Sequence, residues 1–247
     1  MNKNLLLVIY FFSFSLYANE VRELRLGAFK IPKFIEDNKS GNFIKLVQRI
    51  EKKIGKKFNI LIRPPKRTYL SFNNNELFGY FPSLEVDKIN DSYKSHPFYY
   101  KKDLFFRNIN GVRSFRKAKR ICLTRGYPYS KEIMERKGLS ISYSESDESC
   151  LRMLQIGRVD GFICEAISGL SALSVLKFGN IVANEKPLSS IPVTFAFIKT
   201  KEGKKIAESF SKELRLMKKN GELNEIFKDV YKKIEKISDI RIDFLKP

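Results

Sequence analysis

The 247-residue sequence is poor in the side chains that most often do chemistry, holding one histidine and three cysteines. With His96 alone, histidine-rich metal clusters are excluded, and any histidine-dependent catalysis would rest on that residue. The spacing of Cys122, Cys150 and Cys164 fits no metal site. In an oxidising compartment they allow one disulfide and leave one thiol over. The body of the chain has no apolar run long enough to span a membrane, and there is no basic tail.

The apolar run that does exist is at the start. Met1-Asn2-Lys3-Asn4 is weakly positive, residues 5–16 are apolar apart from Ser13 and Ser15, and Leu16-Tyr17-Ala18 ends on a small residue. This is the layout of a secretory leader cut after Ala18. The run is too short for an anchor, and the absence of a cysteine at the cut argues against lipid attachment. The expected product is an exported, periplasmic chain. Removing the leader removes only Lys3, so 46 basic residues face 27 acidic ones, a net charge of +19. Such an excess suits nucleic acid, a membrane surface or an anionic ligand. Export argues against nucleic acid, and the spread of Lys and Arg over the whole chain in amphipathic patterns reads first as a solvated surface.

Periodicity predicts an α/β chain in two lobes, each a sheet flanked by helices. A strand at 21–29, a helix from Phe43 to a stop at Gly55, a strand at 58–62, a short helix at 66–73 and a strand at 77–81 form a β-α-β-α-β unit with a parallel sheet. The pattern restarts with strands near 120–123, 139–143, 160–164 and 180–183, separated by helices. A strand at 193–198 and two amphipathic helices return to the first lobe. The expected division is residues 19–103 with 190–247 in lobe 1 and residues 104–189 in lobe 2. The hinge is expected near 100–110 and 186–192. Cys122 and Cys150 fall on a strand and a neighbouring helix of one lobe and are the preferred disulfide, although spacing alone does not fix connectivity.

Several local patterns then occur in order: Ile31-Pro32-Lys33-Phe34, Pro64-Pro65-Lys66-Arg67, His96-Pro97-Phe98-Tyr99-Tyr100, Thr124-Arg125-Gly126, Gly157-Arg158-Val159-Asp160-Gly161 and Lys219-Asn220-Gly221-Glu222-Leu223. Together they resemble the extracellular solute-binding proteins of family 3, the polar amino-acid type with the type II periplasmic fold. The resemblance covers essentially the whole mature chain. It implies capture of a small polar ligand in an interlobe cleft, closure about the hinge, and delivery to an ABC-type permease by a monomer without cofactor, metal or catalysis. It matches Glu165 to the acid that holds a ligand ammonium, Phe34 to the aromatic of the first loop, and Thr124, Arg125 and Tyr127 to an anion-binding turn. The arginine that clamps the ligand carboxylate has no counterpart after Gly79-Tyr80-Phe81-Pro82, where Ser83-Leu84-Glu85-Val86-Asp87-Lys88 follows.

The residues themselves add candidates. Arg67 follows two prolines at a strand end, where ligands sit in open α/β sheets, and is equally readable as a surface ion pair. Arg125 offers bidentate anion contact. Tyr80, by alternation with Phe81, is the better cleft residue of the two, and Ser83 is a hydrogen-bond donor beside it. Two other functions share this scaffold. A dehydratase-like enzyme would need a general acid or base, for which Glu165 is the attractive candidate. A ligand-sensing module would hand its signal to a receptor rather than to a permease.

Overall fold

The computed structural model describes residues 24–84 and 91–235. The expected leader lies outside those residues, as do residues 85–90, part of the stretch in which the carboxylate clamp is missing.

Leu24, Leu26 and Ala28 are buried and Arg25 is exposed, so β1 (Leu24–Ala28) forms as the alternation dictates. It lies parallel to β2 (Phe58–Ile62) on one side and β3 (Gly79–Leu84) on the other. Helix α1 (Asn42–Ile54) connects β1 to β2, buries Phe43, Leu46, Val47 and Ile50, and ends on Gly55 in the left-handed conformation. Helix α2 (Pro65–Asn73) starts on a proline whose missing N–H would have had no helical partner. Strand β4 (Tyr93–Lys94) is a short addition at the sheet.

The second unit is β6 (Arg120–Thr124), the four-residue helix α3 (Lys131–Met134), β7 (Ser140–Ser144), α4 (Asp147–Gln155), β8 (Gly161–Glu165) and α5 (Ala166–Leu176). Its strand β6 is parallel to both β7 and β8. The Ser146 hydroxyl caps α4 by accepting from the Ser149 N–H at 3.2 Å. Asp160 receives the Lys119 and Arg120 N–H groups and the Arg120 guanidinium, tying the turn before β8 to the start of β6.

Two long strands join the units. The first half of β5 (Tyr99–Asn108) pairs antiparallel with β10 (Ser189–Phe197), and its second half pairs with β8 and with β9 (Ile181–Ala183). The second half of β10 pairs with β3. The sheet therefore runs without a break in the order β2-β1-β3-β10-β5-β8-β6-β7. Helices α6 (Lys201–Lys219) and α7 (Glu222–Glu235) pack on the first unit against α1.

Residues 100–110 and 186–192, expected as the two connections between the lobes, hold most of β5 and the start of β10, the strands that cross between the units. Lys101 and Asp103 are buried on β5, having each other as partners. The helix expected from Ser130 to Lys137 is the single turn α3.

Cys122 on β6 and Cys150 on α4 are joined by a disulfide with Cα atoms 5.5 Å apart, across a separation of 28 residues, and Cys164 is a buried free thiol. Closing a loop of this length stabilises the fold by about 2–4 kcal/mol. The Cys122→Ala/Cys150→Ala protein should lose that much in urea unfolding. A loss below about 1 kcal/mol would mean that chain-entropy restriction is not what this bond contributes.

Candidate functional site

The loop that carries Phe34 is held by α1. The N–H groups of Asn42 and Phe43 donate to the Lys33 and Phe34 carbonyls at 3.2 and 2.9 Å, so the helix start and the loop share their hydrogen bonds. Gly41, at φ 111°, makes this approach possible, since a Cβ there would stand 2.4 Å from the Phe34 carbonyl oxygen. The Phe34 ring packs on Phe43 and Tyr99 with centroids 4.6 and 5.1 Å apart.

Glu165 is the last residue of β8 and the cap of α5. Its Oε2 accepts from the Ser168 N–H at 2.8 Å and its Oε1 from the Tyr99 hydroxyl at 2.7 Å. Burial pushes its carboxyl above the ordinary range, with the Ser168 and Tyr99 hydrogen bonds pulling against that. Tyr99 is pushed up in turn, by burial first and then by the Glu165 charge.

These residues meet at a narrow recess lined by Phe29, Phe34, Phe43, Tyr99, Lys101, Tyr127, Glu165 and Ser168 among others. A smaller cavity adjoins it and shares Lys101, Tyr127, Glu165 and Ser168, adding Tyr129, Asp147 and Cys164. The walls come from the first loop, the crossing strand β5, the turn after β6 and the β8–α5 junction, so both halves of the sheet contribute.

The polar groups form one set. The Lys101 ammonium pairs with the fully buried Asp103 and lies 5.0 Å from the centre of the Tyr129 ring. Asp103 also accepts from the Ser189 hydroxyl at 2.6 Å. Asp147 accepts from the Thr124 hydroxyl, and burial raises its carboxyl above the ordinary range. Tyr127 is pushed up to about 12, by burial and then by Asp147. Lys101 is thus paired with Asp103, while Asp147 and Glu165 line the smaller cavity with it. Lys101 is the one basic side chain lining either cavity among the described residues. Carboxylates beside aromatic rings in one enclosure are groups that can hold a cation.

Of the sequence candidates, the structure brings Phe34, Tyr127 and Glu165 to the recess. Thr124 stands behind it and holds Asp147. The other four lie elsewhere. Tyr80 and Ser83 are buried and bonded to each other at 3.0 Å, with the Tyr80 ring packed on Tyr69 and Phe72 beneath α2, because alternation turns Tyr80 toward that helix. Arg67 is exposed on α2. Arg125 points to solvent, pairs with Glu145 at 2.7 Å and lies beside the Tyr143 ring. The Thr124 and Arg125 N–H groups are already donated, to the Tyr129 hydroxyl and the Ser144 carbonyl, so the turn has no free N–H pair at those positions. The sequence reading missed Tyr99, Lys101, Asp147 and Ser168. The available signal was a charged pair interrupting a run otherwise suited to a strand, from Tyr99 to Phe106.

An α/β sheet split between two units by two crossing strands, with a recess at their junction, is the type II periplasmic-binding-protein fold. No sequence-family model and no curated relative matches the chain. Solved structures match its fold. The GluR0 ligand-binding core from Nostoc punctiforme in complex with L-glutamate has a TM-score of 0.71 at 17% identity, covering 84% of this chain and 99% of its own. An ancestral arginine-binding protein bound to arginine has a TM-score of 0.68 at 18% identity, covering 85% and 98%. A histidine kinase sensor domain with similarity to periplasmic binding proteins has a TM-score of 0.69 at 15% identity, covering 84% and 95%. Among the described residues no helix is long and apolar enough to cross a membrane.

Proposed function

We propose that this chain is an exported solute-binding protein that captures a small polar ligand carrying a cationic group, a basic amino acid or an amine. The site is the cleft between a lobe of residues 19–103 with 190–247 and a lobe of residues 104–189. The ligand leaves unchanged, to an ABC-type permease. The observation that carries the ligand class is that two half-buried carboxylates, Asp147 and Glu165, line a cavity with aromatic walls whose one ammonium, Lys101, is already paired with Asp103. Buried charge of one sign is costly without a counterion, and a ligand cation supplies it. Of the two ligands in the similar structures above, arginine suits this balance and glutamate does not. The missing carboxylate clamp points the same way.

A thermal-shift screen of amino acids, amines, organic acids and short peptides tests this reading. A cationic ligand at about 100 times its Kd should add about 2.7 kcal/mol of stability and raise Tm accordingly. A response confined to acidic ligands, or none at all, would sink it. The raised Glu165 carboxyl also suits a general acid, which keeps a dehydratase-like reading in view. Turnover of a prephenate-like compound that is lost in Glu165→Gln would favour that reading. The likeness to a histidine kinase sensor domain supports a receptor role in place of a permease.

A further inference from the structure

The charge of the chain is not evenly distributed over its helices. Residues 42–57, which are α1 and the turn after it, hold six basic residues and one acidic residue. Helix α6, beside α1, holds seven and three, so the two segments together carry +9 of the chain's +20. On α6, Lys201, Lys205, Lys212, Arg215 and Lys219 are all exposed. At 3.6 residues per turn they fall within about 40° of one line along a helix about 28 Å long, a line that also holds the exposed Glu208. The opposite stripe, Ile206, Phe210, Leu214 and Met217, is the buried one. On the neighbouring helix, Arg49 and Lys53 share Glu222, and Lys45, Lys52, Lys56 and Lys57 are exposed. Among the described residues no carboxylate lies within ion-pair distance of these four lysines or of the five α6 cations. The field is felt nearby: His96 is held below the ordinary imidazole range, by burial first and then by Arg215 and Lys218.

We propose that this two-helix face docks the protein on an anionic lipid surface. The residue types select that occupant. Eleven of the thirteen cations are lysine. Lysine is a hydrated point charge on a flexible stem, suited to a diffuse array of phosphates, and it is depleted at protein–protein interfaces, where arginine and aromatic anchors prevail. No aromatic residue is exposed on α6; Leu216, 46% exposed beside the cationic line, is the apolar side chain that a headgroup layer accepts. Helix α6 lines neither cavity of the cleft and α1 enters it only through Phe43 in its first turn, so a docked protein keeps its ligand site open.

Vesicle co-sedimentation of the full chain tests this. Vesicles of phosphatidylcholine alone account for binding by apolar segments, and vesicles in which a third of the lipid is phosphatidylglycerol report the charged face. The protein should sediment with the second and not the first, and release in about 1 M salt, where the screening length is about 3 Å. Changing Lys205, Lys212, Arg215 and Lys219 together to Gln should weaken binding at least about tenfold. Changing the exposed Lys131, Lys137, Arg158 and Lys186 to Gln removes the same charge from the other unit and should alter binding less than about twofold. Equal losses in the two variants would reduce the effect to net charge and overturn the assignment. So would the absence of any preference for the anionic vesicles, which would leave an acidic protein as the partner of this face.

Discussion

Lys101→Met should cost about 3–5 kcal/mol of folding stability, because it leaves a carboxylate buried without its cation. The Asp103 side chain is fully buried and that of Lys101 is 8% exposed, so water cannot take over the pairing. Methionine keeps much of the apolar stem, which separates the electrostatic loss from a packing loss. After the change Asp103 retains the Ser189 hydroxyl, a neutral donor worth less than an ammonium. Asp147 and Glu165 lose the same cation from their surroundings. The Lys101→Met/Asp103→Leu protein removes both charges and should recover at least about 2 kcal/mol of that loss. Urea unfolding of the four proteins in the cycle gives the coupling directly. Single and double variants of equal stability would mean that the pair is not what holds the crossing strand in place.

The same pair explains which parts of the architecture were legible in the sequence. Strands whose two faces obey the usual rules, such as β1 with Leu24, Leu26 and Ala28, and helices with a clean apolar stripe, such as α1 and α6, follow from periodicity alone. The crossing strand β5 does not, because Lys101-Lys102-Asp103 reads as solvated loop until the partners across the fold are known. The site was legible to the same extent. Phe34 and Glu165 are marked by place, one in the loop after the first strand and one at the end of another. Tyr80 and Ser83 are marked equally well by sequence, and only the packing of α2 over β3 turns them toward each other and away from the recess. Arg125 sits at the expected turn, but that turn is followed by a one-turn helix and its arginine is drawn out to Glu145. Local pattern thus specified where a side chain attaches, and tertiary packing decided which way it faces.

The largest effect on ligand capture is expected from Glu165→Gln. If the bound cation faces this carboxylate, removing the charge should weaken the best ligand of the thermal-shift screen by about 2–5 kcal/mol, or roughly 30- to several-thousand-fold in Kd. Gln keeps the length of the side chain, so Phe34, Tyr99 and Tyr127 still line the recess. The pH dependence follows with a definite sign. Glu165 in the unliganded protein has its carboxyl raised above the ordinary value, by burial first. For the unliganded fold, its contribution is therefore fully present below the unfolded value and is lost as pH rises through the raised one. A bound cation favours the ionised form and reverses this preference. Affinity should then fall as pH drops through the raised value, and the decline should begin at a higher pH than an ordinary glutamate would give. Asp147, raised for the same reason, adds to the slope. The ligand-induced rise in Tm should shrink in acid, while in Glu165→Gln the smaller rise should vary with pH only as far as Asp147 titrates. A wild-type affinity that stays flat from neutral pH down to the ordinary glutamate range would show that the ligand does not use this carboxylate. The recess would then be working through its aromatic walls alone.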